Sequence, residues 1–195
     1  VTDRGLRIAS GKGTLALYHR LAAAALPGVA ELVPADGSLL VILKPGAPVP
    51  AGLADILSSH VAGSPAMAIG VAREIRVRFD GEDLPAVAAR VDLPVATLVE
   101  ALCRISFRVQ FLGFQPGFAY LAGLPAAWRL PRRDTPRTRV PAGSLALGGA
   151  YCGIYPVAGP GGWHLLGHTD AVLFDPASSP PALLQPGDKV RLVRA

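Results

Sequence analysis

From residue 106 onward the chain is cut by glycine and proline into β-rich runs too short to be helices: FRVQFLGF, SLALGG, WHLLG, AVLF and KVRLV. Each proline removes a backbone donor and each glycine permits a sharp turn, so the segment is expected to fold as short strands in a barrel or folded sheet. Just ahead of it, residues 74–79 (EIRVRF) alternate apolar with charged side chains, the pattern of a strand with one wet face. Residues 83–102 carry two short helical patterns parted at 92–94. The N-terminal part reads differently. Residues 14–25 (TLALYHRLAAAA) have high helix propensity, 38–43 (SLLVIL) follow a turn-like Ala35-Asp36-Gly37 as a buried strand, and 53–61 suit a second helix ended by Gly63 and Pro65. The fold class expected is α+β, with a small α+β domain over 1–72 and a strand-rich domain over 73–195.

With 51% hydrophobic and 17% charged residues the chain has ample apolar surface to bury and reads as globular. It lacks the ~20-residue apolar run of a membrane-spanning helix. Residues 21–26 follow basic residues in the manner of a signal-peptide core, but Pro27 and Gly28 stop the run and ELVPADGSLLVIL continues as folded domain. A cytoplasmic protein without membrane attachment is therefore expected. Cys103 and Cys152 have no CxxC spacing and no neighbouring metal-ligand cluster, and read as free thiols. The net charge of +5 is densest over residues 129–139, where five arginines face one aspartate. No interleaved aromatics or nucleic-acid-binding motif accompany them, so a nucleic-acid partner is not expected.

Three segments hold the candidate chemistry. In 111–120 (FLGFQPGFAY), Gly113, Pro116 and Gly117 make either a loop that brings backbone N–H groups to a ligand or a tight turn packed by Phe114, Phe118 and Tyr120. In 130–140 (LPRRDTPRTRV), Pro131 and Pro136 disfavour a helix, so Arg132, Arg133 and Arg137 project from a loop or edge strand. They would grip a carboxylate or phosphate by forked hydrogen bonds or form a solvated charge cluster. In the glycine-rich 140–163, Ser144 lacks a G-x-S-x-G elbow, and Gly161, Gly162 and Trp163 make either a ligand-facing turn or a strand connection over a core tryptophan. His19 and His60 fall in helical patterns. His164 and His168, four apart in a strand pattern, would share one face but have no third ligand, a weak metal signal.

In order along the chain, these segments resemble one family pattern: GFxPGFxYLxGLP at 113–125, PRRxxPRxxVPAGS at 131–144, GIYP at 153–156, PGGW at 160–163, Gly-x-Thr at 167–169 and GDxVR at 187–191. The pattern is similar to that of the 5-oxoprolinase B-subunit family, which takes in KipI-like proteins and allophanate hydrolase subunit 1. The resemblance implies an N-terminal ferredoxin-like domain followed by a cyclophilin-like β-barrel. It implies one component of an ATP-dependent hydrolase complex that opens 5-oxo-L-proline to L-glutamate, with Mg2+ accompanying the ATP. The implied partners are a homologous C subunit (KipA-like) and a lactam-hydrolase subunit. A non-catalytic KipI-like inhibitor of a histidine kinase, and an allophanate hydrolase or urea carboxylase component, are the alternatives.

Carried onto this sequence, the candidate substrate- or anion-binding residues are Gly117, Phe118, Tyr120, Arg132, Arg133, Arg137, Ser144, Tyr155, Gly161, Gly162, Trp163, His168 and Thr169. No metal site and no complete nucleophile-base-orienter set is expected, nor does a Walker loop occur, so the chain is expected to be inactive alone and to share ATP with its complex. Four positions depart from the family's usual residues: Leu102, Tyr151, Gly159 and His168. Because each adjoins a matching segment, they are expected to gather around one cleft and alter the ligand it holds.

Overall fold

The computed structural model describes residues 4–62 and 70–195, which divide into two compact units, Val1–Ile69 and Gly70–Ala195. In the first, strand β1 (Gly5–Ala9) leads into helix α1 (Thr14–Ala24), strands β2 (Val29–Ala35) and β3 (Ser38–Leu43), and helix α2 (Ala51–Ala62). The sheet is antiparallel in the order β1-β3-β2. Leu17 and Leu21, one turn apart on α1, meet Leu39, Val41 and Leu43, which alternate along β3, and Leu53 of α2. The α1 helix stops where Ala25 takes φ 45°, and Gly28 follows at φ 85°. The expected stop of α2 at Gly63 and Pro65 lies outside the described residues.

The second unit contains β4 (Ala72–Val77), α3 (Leu84–Arg90), α4 (Val95–Arg104), β5 (Phe107–Leu112), β6 (Ala119–Ala122), β7 (Arg137–Val140), β8 (Ser144–Gly148), β9 (Tyr151–Ile154), β10 (Gly159–Gly161), β11 (His164–His168) and β12 (Lys189–Arg194). Seven strands form one sheet in the order β11-β8-β9-β6-β5-β12-β4, and β7 pairs with β10 as a separate ribbon. Neighbours are antiparallel except β4 and β12, which run parallel. The two ends of the sheet nearly meet. Arg78, next after β4, exchanges both backbone hydrogen bonds with His168 at the end of β11, at 2.8 Å each, and the N–H groups of Gly81 and Asp83 donate to Leu166 O (3.2 Å) and Leu165 O (3.1 Å). Bare backbone makes this approach possible, since a Cβ at Gly81 or Gly167 would strike the main chain across the seam.

Strand alternation gives the sheet two apolar faces. Leu145, Leu147, Leu121, Cys152 and Ile154 point into the main core, which Leu84, Val87, Leu98, Val99 and Leu102 of α3 and α4 complete. Their alternating neighbours Ala146, Tyr120 and Tyr151 point the other way, into a second layer with Phe118, Val140, Tyr155, Trp163 and Leu165. Phe118 packs edge-on against Tyr120, Tyr155 and Trp163 at centroid distances of 5.1, 5.2 and 5.4 Å. Gly153 leaves room for that ring, because a Cβ there would come within 2.6 Å of it.

Two expectations are corrected. Residues 171–174 (AVLF) do not form a strand; only Phe174 makes a bridge, to Ala182. Leu102 does not border a cleft. It is fully buried on the inner face of α4, and its spacing from Leu98 is one helical turn. No helix among the described residues is long and apolar enough to cross a membrane.

Candidate functional site

Asp83 stands at the N-terminus of α3, where a carboxylate usually caps the helix, yet its side chain makes no cap. It turns to the arginine-rich segment. Oδ1 accepts from Arg133 Nη1 at 2.8 Å and Arg137 Nη2 at 2.9 Å, while Oδ2 accepts from Arg137 Nη2 at 2.9 Å and the Leu165 N–H at 2.7 Å. Arg137 also gives Nε to Glu82 at 2.7 Å and reaches the Trp163 carbonyl at 3.4 Å. Burial by itself would raise the Asp83 carboxyl. The Arg137 and Leu165 hydrogen bonds and the charges of both arginines outweigh it and hold the carboxyl below the usual range. For Arg137 the balance has the mirror form: burial would lower it, and Asp83 and Glu82 raise it.

This ion-paired base floors a cleft of about 430 Å³ lined by Asp83, Arg90, Pro131, Arg132, Arg133, Asp134, Thr135 and His164 along with Ala86 and Val87 of α3. His164 is buried and its Nε2 donates to Pro131 O at 2.9 Å, which holds the loop over the cleft. Arg133 N–H binds Gly162 O at 2.8 Å, so the glycine turn serves as a backbone anchor for the same loop. Of the three arginines expected to grip an anion, Arg133 gives Nη1 and Arg137 gives Nη2 to Asp83, and the rest of the Arg137 fork goes to Glu82 and the Trp163 carbonyl. Arg133 keeps an Nε without a partner, and exposed Arg132 makes no hydrogen bond or ion pair among the described residues. Arg90, which is not among the sequence candidates, joins Arg132 on the rim.

The aromatic candidates do not line this cleft. Phe118, Tyr155 and Trp163 are buried against one another, with Gly161 giving the Tyr155 hydroxyl its space, so they form a packed layer; Tyr120 is half-buried. Burial pushes the Tyr155 and Tyr120 phenols up, and the Arg132 charge opposes the shift in both. Gly117, at φ 81°, packs its bare Cα on Leu173 and Phe174.

The remaining candidates sit elsewhere. Ser144 is buried and donates to Pro141 O at 2.8 Å. Thr169 bonds Gly143 O through its N–H, and its hydroxyl accepts from the Ala171 N–H at 3.2 Å. His168 stands on the seam, with Nδ1 2.9 Å from Asp80 and Nε2 3.3 Å from Arg78; an Nδ1–H tautomer satisfies both contacts. With Thr169 and Asp170 it lines a second cavity of about 520 Å³. A bulge between Leu165 and Gly167 breaks the alternation that an even spacing implies, so His164 and His168 meet different partners. The four departing positions are likewise dispersed: Leu102 in the main core, His168 on the seam, Tyr151 against the aromatic layer and Gly159 against Gln115.

Asp83 makes acid sensitivity a testable property of this site. Its folded-state pKa lies below the unfolded value of about 3.9, so its contribution to stability is complete above that value and is lost as pH falls through the folded-state value. The stability gap between the wild type and Asp83→Asn, measured by urea unfolding from pH 7 to pH 2, is expected to narrow below about pH 4. A constant gap would contradict the assignment.

The sequence matches the family described as carboxyltransferase domain, subdomain C and D, over residues 3–184. It is similar to curated proteins named as the B subunit of 5-oxoprolinase. The one from Escherichia coli O157:H7 is 53% identical over 113 residues, 58% of this chain and 52% of that protein. The one from Bacillus subtilis is 40% identical over 124 residues, 62% and 52%. The matched part thus spans about half the length of these relatives. Among solved structures, TTHA0988 is 40% identical with a TM-score of 0.80, covering 98% of this chain and 40% of that one. The urea amidolyase of K. lactis, 20% identical with a TM-score of 0.71 over 99% of this chain and 14% of that one, is alike in fold.

Proposed function

We propose, for a chain that belongs to the carboxyltransferase domain, subdomain C and D family, that it forms part of an ATP-dependent hydrolase complex opening 5-oxo-L-proline, or a related small cyclic amide, to its amino acid. The names of its relatives supply both the substrate class and the idea of a multi-component enzyme. The observation that carries the reading is the cleft over Asp83. There Arg132 and Arg90 stand without partners among the described residues, beside a buried, already neutralised arginine-carboxylate base. Such a base holds the loop rigid and leaves the rim guanidiniums free for a carboxylate.

In fold terms we take the larger unit as a cyclophilin-like barrel and the smaller as ferredoxin-like, the latter supported by its βαββα order and β1-β3-β2 sheet. The donor set of the cleft suits one carboxylate or one phosphoryl group. With Asp83 and Asp134 in the lining and no glycine-rich phosphate loop in the sequence, it does not suit a whole triphosphate chain. ATP with Mg2+ is accordingly assigned to the assembled complex, where it supplies the phosphoryl group that activates the resonance-stabilised lactam. This chain's part is to hold the substrate carboxylate with Arg132 and to keep the loop aligned through Asp83, Arg133 and His164. The expected partners are a homologous C subunit (KipA-like) and a lactam-hydrolase subunit.

The test is co-expression with those partners and an assay of ATP-dependent glutamate release. Arg132→Ala is expected to lower kcat/KM by about tenfold to a hundredfold, the weight of a charge-assisted hydrogen bond. Arg132→Lys should fall between it and the wild type, with the melting temperature unchanged in both. A complex that assembles yet releases no glutamate would replace this reading with the KipI-like regulatory one.

A further inference from the structure

Phe114 and Gln115 carry adjacent, unexplained costs. Phe114 takes φ 69°, in the left-handed region that bulky residues avoid, and Gln115 N–H returns to Gly113 O at 2.8 Å, closing a three-residue turn of the strained, positive-φ kind. The phenyl ring gains little in exchange, being 59% exposed and meeting Phe118 and Tyr155 in T-shaped contacts at centroid distances of 5.5 and 6.0 Å. Next to it, the amide oxygen of Gln115 is sealed from solvent with no hydrogen-bond donor among the described residues. The side chain lies against Gly159, whose missing Cβ makes the slot: a Cβ there would sit 2.6 Å from Gln115 Nε2. Local strain beside an unsatisfied buried acceptor marks a place where a ligand completes the structure.

We propose that Gln115 is the specificity-determining residue for the amide: its Oε1 accepts the substrate's ring N–H, within a turn that opens at Phe114 to admit it. The inference rests on the reading that the substrate is a cyclic amide. A lactam holds its N–H on one edge of a flat ring, and it offers the single donor that Oε1 lacks. The backbone strain at Phe114 is released as the turn opens, and its ring closes on the flat face of the bound lactam beside Tyr155.

The experiment uses the reconstituted complex and two ligands. One is 5-oxoproline; the other is its lactone analogue, in which a ring oxygen replaces the N–H, used as a competitive inhibitor. Gln115→Leu keeps the side chain's bulk and is expected to raise KM for 5-oxoproline about tenfold or more while leaving the lactone Ki within about twofold. Phe114→Gly is expected to keep or raise the melting temperature, because glycine accepts this φ, and to raise KM as well. Equal loss for both ligands in Gln115→Leu, or no loss for either, would overturn the proposal while leaving the function itself in place. A wild-type complex with no turnover of 5-oxoproline would remove both.

Discussion

Asp83→Ala is expected to destabilise the larger unit by about 3–5 kcal/mol, the loss typical when one partner of a buried ion pair is removed. The carboxylate is 9% exposed and Arg137 15%, so water does not replace the lost contacts as it would for a surface pair. Two donors are stranded at once, Arg137 Nη2 and the Leu165 N–H, while the more exposed Arg133 loses its partner to water. The Leu165 contact ties the start of α3 to β11, so the damage reaches the seam as well as the cleft. Thermal and urea unfolding of the variant measure the effect. A change below about 1 kcal/mol would mean the cluster behaves as a screened surface network. Loss of activity at full stability would instead make Asp83 a direct ligand contact.

Leu102→His is the second large effect, expected at about 3–5 kcal/mol. Leu102 is wholly enclosed on α4 among Leu98, Val99 and the barrel interior. An imidazole there forfeits the transfer energy of the leucine and buries a donor and an acceptor in an apolar core. Leu102→Met, which preserves volume and apolarity, should cost less than about 1.5 kcal/mol. The comparison separates polarity from shape, and a soluble, fully stable Leu102→His protein would contradict the placement of α4. The departure at Leu102 therefore carries no message about the site.

Local pattern makes much of the architecture legible. The helix over 14–25, the buried strand at 38–43 and the paired helices parted near 92–94 follow from propensity and spacing that neighbouring residues settle among themselves. Arg132, Arg133 and Arg137 are visible as a charged loop for the same reason. Asp83 is not, because its partners lie 50 and 54 residues away and an acid ahead of a proline-led helix reads as an ordinary cap. The bulge in β11 is equally hidden, since nothing in His-Leu-Leu-Gly-His distinguishes an offset strand from a regular one until its neighbour is known. Likewise Gly159 reads as a lost polar group, whereas its position opposite Gln115 makes it the wall of a slot. Leu102 misleads because nearness to a motif in sequence says nothing about which face of a helix a residue occupies.

The near-closed barrel also sets the order in which this unit can assemble. Its first strand, β4, is held by β12 across 117 residues and by the Arg78–His168 bridge across 90, so neither bond set forms until almost the whole unit has been synthesised. During synthesis Ile75 and Val77 stay unpaired while β5, β6, β8 and β9 already have near neighbours in sequence. High contact order of this kind slows folding and prolongs exposure of a sticky strand. On the ribosome, the earliest strand is the last to find its place, and the interval between is when a chaperone has most to hold.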